Sequence, residues 1–577
     1  MRMSIKIDTK ELQRALANWT SRYDPDERMV IQPFSSPGYH TTLTGGMVHP
    51  TRESLSYALA LLDSGDPGDL ERACAILDRV LDLQDANPAS PTYGIWPWFL
   101  EEPLSQMSPP DWNWADFCGT SLIQIAMDHR DRLPARLAER LDAATLHAAR
   151  SIQRRNMGPH YTNIALMGTY VTYTVGEFYG IGDLLDYARA RLDRFAEYTR
   201  YHGAFTEFNS PTYSAVAIRV LARMRRDIRD LQAQDTVRWL YDLAWEDVGL
   251  HFHPATRQWA GPHSRCYSTL LRPGERAFLQ RGTRGAVRYF DDDALPVDIE
   301  AHRLDFSCPE RWLPLFARLD GPRELHRIYH RGSELYPMLI GHTYMDDLVA
   351  LGSMNRGDLW NQRRPLVGYW GRAEDPWAVQ LRCLHDGYDY SAALTFCRQS
   401  GPYVLCAVAF ATDYGDRHIT LDPIKEQGIE AYDLRLRLEV MRQAQPPTPP
   451  RIEGDAPQQI TFGAACMGLQ IPYAVFSEPC RITSGMEGDR ACLDVILYEG
   501  ERRRIDFAAM SRAAVVFGLV LKPANAQDEL PPVSVVAHGE RIDAAWETPH
   551  GTLTLSISQR PGPFRRLEES AAGVDDV

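Results

Sequence analysis

Residues 182–200 read GDLLDYARARLDRFAEYTR. Leu184, Leu185, Ala188, Leu192, Phe195 and Ala196 fall on one stripe of a 3.6-residue helix, with Asp, Arg and Glu opposite. The same period extends to both sides. It predicts further helices near 53–64, 69–84, 116–130, 135–155, 161–180, 211–226 and 229–249. The links between them alternate. Those at 64–69, 130–135, 180–183 and 226–229 are short, whereas 85–115, 156–161, 201–210 and the stretch from 250 onward are longer and rich in aromatic and polar groups. Short links make antiparallel neighbours. In an up-and-down series every long link then lies at the same end, and long loops on a rigid scaffold are where function concentrates.

From about 372 to 560 the period becomes two. Leu434, Leu436, Leu438 and Val440 alternate with Arg435, Arg437 and Glu439; Leu553, Leu555 and Ile557 alternate with Thr and Ser; CLDVILYEG and PYVLCAVAFAT also read as strands. This is the pattern of an antiparallel sheet with one packed face and one solvated face. The fold class expected is α+β and multidomain. An incomplete (α/α) toroid of helix hairpins fills 1–370, with a mixed crossover at 251–370, and a sandwich-like antiparallel β-sheet domain fills 371–577. The segment 442–459, with its PPTPP, reads as a loop, and the tail after Pro563 as disordered.

Composition narrows the function. The chain has 577 residues, 44% hydrophobic and 24% charged, which fits a soluble protein of at least two domains. Without 18 consecutive apolar residues, no membrane span is expected. The first residues, MRMSIKIDTKELQRALANW, lack the apolar core of a secretory signal, so a cytoplasmic location is expected. The ten Cys are scattered from Cys74 to Cys492 with no CxxC, as for reduced thiols. The net charge is -14 and the only lysines are Lys6, Lys10, Lys425 and Lys522, which argues against nucleic acid. An anionic sugar stays open, because a pocket can be locally basic. So does a homo-oligomer.

The long links display the chemistry. The first carries Trp96, Trp98, Trp112 and Trp114 with Asp116: aromatic faces suit sugar rings and carboxylates suit hydroxyls. The second, GPHYTNIALM, places His160 and Asn163 at a helix start, where free N–H groups favour a bound carboxylate. In the third, GAFTEFNSPTYSAVAI, Ser210 is a natural cap, Pro211 fits the first turn, and Tyr213 follows, after Glu207 and Asn209, which are expected to bind substrate. The fourth crowds His251, His253, His263, Arg265 and Tyr267 into one loop. His251 and His253 alone make a weak zinc signal; His, Arg and Tyr together suit acid/base work and anion recognition. A later polar cluster, GHTYMDDLVALGSMNRGDLWNQRRP, adds His342 and Tyr344.

Three of these patches give the chain its resemblance to the polysaccharide lyases built as an (α/α) toroid plus antiparallel sheets, the heparinase II/III-like, alginate-lyase-like and chondroitin/hyaluronate-lyase-like proteins. DWNWADFCGTSL resembles their aromatic-acidic helix start, HYTNIALM the helix start bearing the Asn that neutralises the uronate, and GAFTEFNSPTYSAVAI the segment bearing the catalytic Tyr. The resemblance implies that Asn163 neutralises a uronate carboxylate and that Tyr213 is catalytic. The chondroitin/hyaluronate-like segment has a His a few residues before the Tyr; here Glu207, Phe208 and Asn209 stand there, and His263 or His342 is left as the base. The family sometimes carries a structural metal ion, but the proton chemistry requires no cofactor.

The reaction implied is β-elimination on a uronate-containing carbohydrate. Neutralising the carboxylate stabilises the charge that develops when the C5 proton leaves. Arg265 and His160 suit that role beside Asn163. Tyr213 is a candidate acid, and also a base if its pKa falls. A glycoside hydrolase using two carboxyls such as Asp116 and Glu207 is the alternative. A uronate epimerase shares the first proton abstraction.

Overall fold

Gly65, Asp66 and Pro67 turn the chain between the helices Thr51–Ser64 and Pro67–Leu81. Gly65 takes the left-handed conformation (φ 76°), Asp66 accepts hydrogen bonds from the N–H groups of Gly68 (2.8 Å) and Asp69 (3.1 Å), and Pro67 opens the next helix. Such caps punctuate the helical half. The computed structural model describes residues 7–35, 39–333, 337–416, 418, 421, 424–450, 458–526 and 529–575. Its helices are α1 (Thr9–Thr20), α2 (Thr51–Ser64), α3 (Pro67–Leu81), α4 (Trp114–His129), α5 (Ala135–Arg155), α6 (Thr162–Tyr179), α7 (Gly182–His202), α8 (Tyr213–Asp227), α9 (Leu231–Leu250), α10 (Pro273–Gly282) and α11 (Phe564–Ser570). Every helix expected between 53 and 249 is present, and the short and long links alternate as the sequence indicates. Among the described residues no helix is long and apolar enough to cross a membrane.

The strands of the main sheets are β1 (Arg323–His330), β2 (Leu339–Met345), β3 (Val349–Met354), β4 (Arg356–Asp358), β5 (Leu366–Arg372), β6 (Asp375–His385), β7 (Ala393–Ser400), β8 (Tyr403–Phe410), β9 (Gly428–Arg442), β10 (Gln458–Phe462), β11 (Ala465–Phe476), β12 (Arg481–Glu487), β13 (Arg490–Asp506) and β14 (Ala513–Pro523). One antiparallel sheet runs β12-β13-β9-β6-β5-β3-β2-β1 and a second runs β4-β7-β8-β14-β11-β10. The protein is therefore α+β, helical in its N-terminal part and β-rich in its C-terminal part. Leu434, Leu436, Leu438 and Val440 pack with Phe396, Val404 and Val515 in one apolar core, as their alternation indicates. The opposite face of β9 is not simply solvated. Arg437 and Glu439 are buried in ion pairs with Asp494, Arg382 and Arg490.

Two boundaries differ from expectation. Pairing in the larger sheet begins at Arg323, not near 371. β3 is buried at every position and β2 at all but its first, so neither shows the two-residue period that marks a one-sided strand. The tail is also ordered through residue 575. The N–H of Phe564 donates to Asp413, Ala572 pairs with Ser556, and Asp575 pairs with Arg356. Residues 451–457 of the loop expected at 442–459, and the last two of the tail, lie outside the described residues.

The chain divides into two compact units that interleave along the sequence. Unit 1 comprises Met1–Arg200, Ala215–Ala244 and Phe290–Ser307; unit 2 comprises Tyr201–Ser214, Trp245–Tyr289 and Cys308–Val577. Unit 1 is pinned from inside by Asp63 on α2. Its carboxylate accepts from His129 on α4 (2.9 Å), His302 (2.7 Å) and Arg303 (2.8 Å), and Arg303 also reaches Asp128 (2.6 Å). Burial would raise the Asp63 pKa, but the Arg303 charge and the two imidazole hydrogen bonds hold it well below the usual carboxylate range.

Asp63→Asn should cost about 1–3 kcal/mol in urea denaturation at pH 7, because His129, His302 and Arg303 each lose a charged acceptor while Arg303 keeps Asp128. The Asp63 pKa is lower in the folded state. Its contribution is therefore present at neutral pH and lost as pH falls below about 4. The variant should lack this part of the wild-type acid dependence.

Candidate functional site

In unit 2 the site is assembled from residues 207–213, 259–269 and 360–369. Asn209 sits in the left-handed region (φ 41°), which Asn tolerates better than most side chains. Its amide N–H groups donate to the carbonyls of Ala260 (2.8 Å) and Pro262 (2.7 Å), and its side-chain oxygen accepts from the Trp259 indole (2.6 Å). Its own carbonyl accepts from Nδ1–H of His263 (2.8 Å). One residue thus staples two chain segments together. Ser210 continues the staple. Its hydroxyl donates to the Arg265 carbonyl and accepts from the Tyr213 N–H (2.9 Å), which starts α8 at Tyr213.

That placement sets Tyr213 against Arg265 and Tyr267. The two tyrosine hydroxyls lie 2.7 Å apart, and the Arg265 guanidinium sits 4.3 Å from the centre of the Tyr213 ring. Arg265 is held from behind by Glu207 (3.0 Å) and by the Gln362 side-chain oxygen (2.6 and 3.1 Å), with the Trp360 ring 5.7 Å away. Tyr267 is exposed, and Arg272 lies 5.6 Å from its ring. Burial pushes the Tyr213 phenol well above its ordinary pKa, although the Arg265 charge opposes the shift. At neutral pH Tyr213 is therefore a phenol. It can donate a proton, and its hydroxyl partner faces solvent.

The candidate histidines do not join this group. His263 is buried, with Nδ1 on Asn209 and Nε2 3.1 Å from the Tyr369 hydroxyl, and burial lowers it to about 3. It braces the loop, with both ring nitrogens engaged by the protein. His342 and Tyr344 lie on β2 either side of Thr343, whose hydroxyl donates to the Gly261 carbonyl (2.6 Å). Neighbours on a strand point to opposite faces. Both therefore face away from the 259–269 segment, with Tyr344 in the core between the sheets and His342 against the edge of His326. Asn209, expected to bind substrate, has its polar side-chain atoms spent on the protein. His251 and His253 likewise have both ring nitrogens engaged, by Asp247 and Tyr329 and by Thr256 and Asp346. Among the described residues no group of three or more His, Cys, Asp or Glu could hold a metal ion.

The remaining candidates belong to unit 1. Trp96 is fully buried with its indole N–H on the Val80 carbonyl (3.0 Å), so it is core and not a sugar platform. Trp114 is buried beneath Trp98, 5.0 Å between ring centres, and donates to Thr51 (2.9 Å). Trp98 and Trp112 are half-buried, and Trp112 donates to the Pro91 carbonyl. His160 is exposed just before α6, and Asn163 is buried in its first turn. Asp116 is enclosed among helices, and burial raises it to about 7 against the opposing charges of Arg191 and Arg155.

Residues 15–273 match the model of a domain of unknown function (DUF8769). No curated protein matches the chain. Among solved structures it is similar to a heparinase III (11% identity, 96% of this chain and 92% of that chain, TM-score 0.46). It is also similar to a variant of the Streptomyces coelicolor A3 chondroitin AC lyase (13% identity, 95% of this chain and 84% of that chain, TM-score 0.44). A third similarity is to a heparan sulfate lyase from Pedobacter heparinus (9% identity, 96% of this chain and 90% of that chain, TM-score 0.38).

Gln362, Trp360 and Tyr369 are the site residues that sequence reasoning missed. The first two lie inside the polar cluster before β5, where the run Trp-Asn-Gln-Arg-Arg was the available signal. Tyr369 reads only as one more apolar strand residue.

Asn209→Ala should cost more than about 3 kcal/mol, since each orphaned buried partner costs about 1–3 kcal/mol. Tyr213→Phe removes a hydroxyl whose one hydrogen-bond partner among the described residues is Tyr267 and should cost about 1 kcal/mol or less. Thermal denaturation of the two variants side by side checks the contrast.

Proposed function

We propose that the chain is a lyase that cleaves a uronate-containing polysaccharide or oligosaccharide by β-elimination. The observation that carries this reading is the pair of phenols, Tyr213 and Tyr267, in contact beneath the Arg265 guanidinium. In the reaction a base takes the C5 proton, the electron pair forms the C4–C5 double bond, the C4–oxygen bond breaks, and the leaving oxygen takes a proton. Tyr213 supplies that proton, and Tyr267 connects Tyr213 to solvent. With His263 and His342 turned elsewhere, the phenol pair also serves as base: Tyr213 loses its proton through Tyr267, and the Arg265 charge eases the cost of the phenolate. Each proton transfer contributes about 10²–10⁴-fold. Asn163 in the first turn of α6 is assigned to the uronate carboxylate by the sequence resemblance, and His160 just before the helix suits the same role by its chemistry. An incomplete (α/α) toroid of the hairpins from α2 to α9 belongs to the same proposal, supported by the alternating links.

The hydrolase alternative is weaker. Glu207 is buried and committed to Arg265, and Asp116 is enclosed by helices. Neither carboxyl is presented as the free partner that attack on a glycosidic bond requires.

Incubation with uronate-containing oligosaccharides should raise absorbance near 235 nm, roughly where an unsaturated uronate absorbs. Tyr213→Phe should lower the rate at least about 10²-fold. New reducing ends without the absorbance would indicate a hydrolase. An inverted uronate without chain cleavage would indicate an epimerase. Because the Tyr213 pKa lies above its ordinary value, the phenolate fraction rises about tenfold per pH unit through pH 7–9. kcat/KM should climb with it. A plateau below pH 8 would remove Tyr213 as base.

A further inference from the structure

A pocket of about 100 Å³ opens in unit 1 where residues 156–159 meet α6 and α7. Its lining includes Arg191 and Arg194, one turn apart on α7, with Asn156, Gly158 and Phe195, and contains no carboxylate. Arg191 is only 3% exposed. Among the described residues its hydrogen bonds all run to neutral oxygens: the carbonyls of Ala165 (3.2 Å) and Ile164 (3.3 Å) and the hydroxyls of Thr169 (3.1 Å) and Tyr187 (2.9 Å). Each terminal nitrogen makes one such bond, which leaves an N–H on each uncommitted.

A buried guanidinium normally has a carboxylate on it. The acidic group beside Arg191 is Asp116, and the two flank Gly168. A Cβ there would stand 2.7 Å from Asp116 Oδ1 and 2.9 Å from an Arg191 terminal nitrogen. No hydrogen bond joins them, and Asp116 Oδ1 has no hydrogen-bond partner among the described residues. Arg194 is exposed at the pocket; its side chain reaches Asn156 Oδ1 at 3.5 Å and makes no ion pair among the described residues. The under-compensated Arg191 and the solvent-facing Arg194 thus share a cavity sized for one small group.

We propose that this pocket binds a small oxyanion, a sulfate or carboxylate group, between Arg191 and Arg194. Guanidinium N–H pairs match the planar and tetrahedral oxyanions with charge-assisted hydrogen bonds. The group is either a free anion or an acidic substituent of a saccharide. The site itself does not depend on the lyase reading, because its occupancy can be measured without turnover. Asp116 tunes it. The charged groups acting on Asp116 are Arg191 on α7, Arg155 on α5 and Asp111 ahead of α4, and burial places it at about 7. Raising pH through neutrality adds a negative charge next to Arg191 and weakens anion binding.

Calorimetric titration of the full chain with sodium sulfate, against chloride at matched ionic strength, tests the site. Saturable sulfate binding is expected, weakened about tenfold in Arg194→Gln, and tighter at pH 6 than at pH 8 in the wild type but not in Asp116→Asn. Glucuronate that competes with sulfate where glucose does not would assign the ligand to an acidic sugar; competition by neither would assign it to a free anion. Sulfate binding no better than chloride, or equal in wild type and Arg194→Gln, would overturn the proposal.

Discussion

The arrangement in unit 2 hangs on Asn209. A single side chain closes three hydrogen bonds onto residues 259–262, while its carbonyl fixes the His263 ring. This is possible only because the residue adopts the left-handed backbone region, which turns its amide and its carbonyl toward the same neighbouring segment. Ser210 then carries the turn into α8, and the direction of the Tyr213 ring follows. Arg265 and Tyr267 belong to the segment that Asn209 holds. The contact between the phenols is therefore a consequence of a buried amide that itself does no chemistry. Such complete satisfaction of a buried polar group is what gives a loop one conformation instead of several.

Burial sorts the ionisable groups by what their neighbours offer. Asp63 and Asp116 are both carboxyls enclosed in unit 1. Asp63 meets a guanidinium and two imidazoles and is held ionised, whereas Asp116 has one oxygen without a hydrogen-bond partner and rises to about 7. His263 meets a carbonyl and a phenol, neither of which stabilises a second proton enough to offset burial, and it is lowered to about 3. Residue type alone does not announce these outcomes. They depend on whether the desolvated charge finds an opposite charge in hydrogen-bonding contact.

α7 was legible because it has one apolar stripe, whereas α6 is buried at every position from Thr162 to Gly176 and is marked by its length. Leu184, Leu192 and Phe195 are buried and Asp193 is exposed, as their spacing requires. β2 and β3 were not legible, since burial on both faces erases the alternation that marks a strand. Of the candidate residues, Tyr213, Arg265, Tyr267 and Glu207 do meet. They come from two short segments in which the chemistry is dense. His263 and His342 were overvalued for the opposite reason. A histidine near such a segment looks catalytic until its ring nitrogens, or its face of the strand, are known. Asn209 was expected to bind substrate, because its bracing role is written in the backbone carbonyls of Ala260 and Pro262, 51 and 53 positions away.

The histidine geometry constrains any acid/base scheme in this unit. Thr343 is tied to the Gly261 carbonyl, and one residue along a strand reverses the side chain, so no rotamer of His342 brings its ring to the face that carries residues 259–269. His263 would have to break contacts with both Asn209 and Tyr369 to reach anything else. In the proposed reaction a proton leaving or entering near Tyr213 is then handled by phenols. A phenol with a high pKa is a good acid for an alkoxide leaving group and a poor base at rest. Arg265 shifts that balance only as far as Glu207 leaves its charge uncompensated. The ion pair behind the site thus sets how readily Tyr213 can give up its proton.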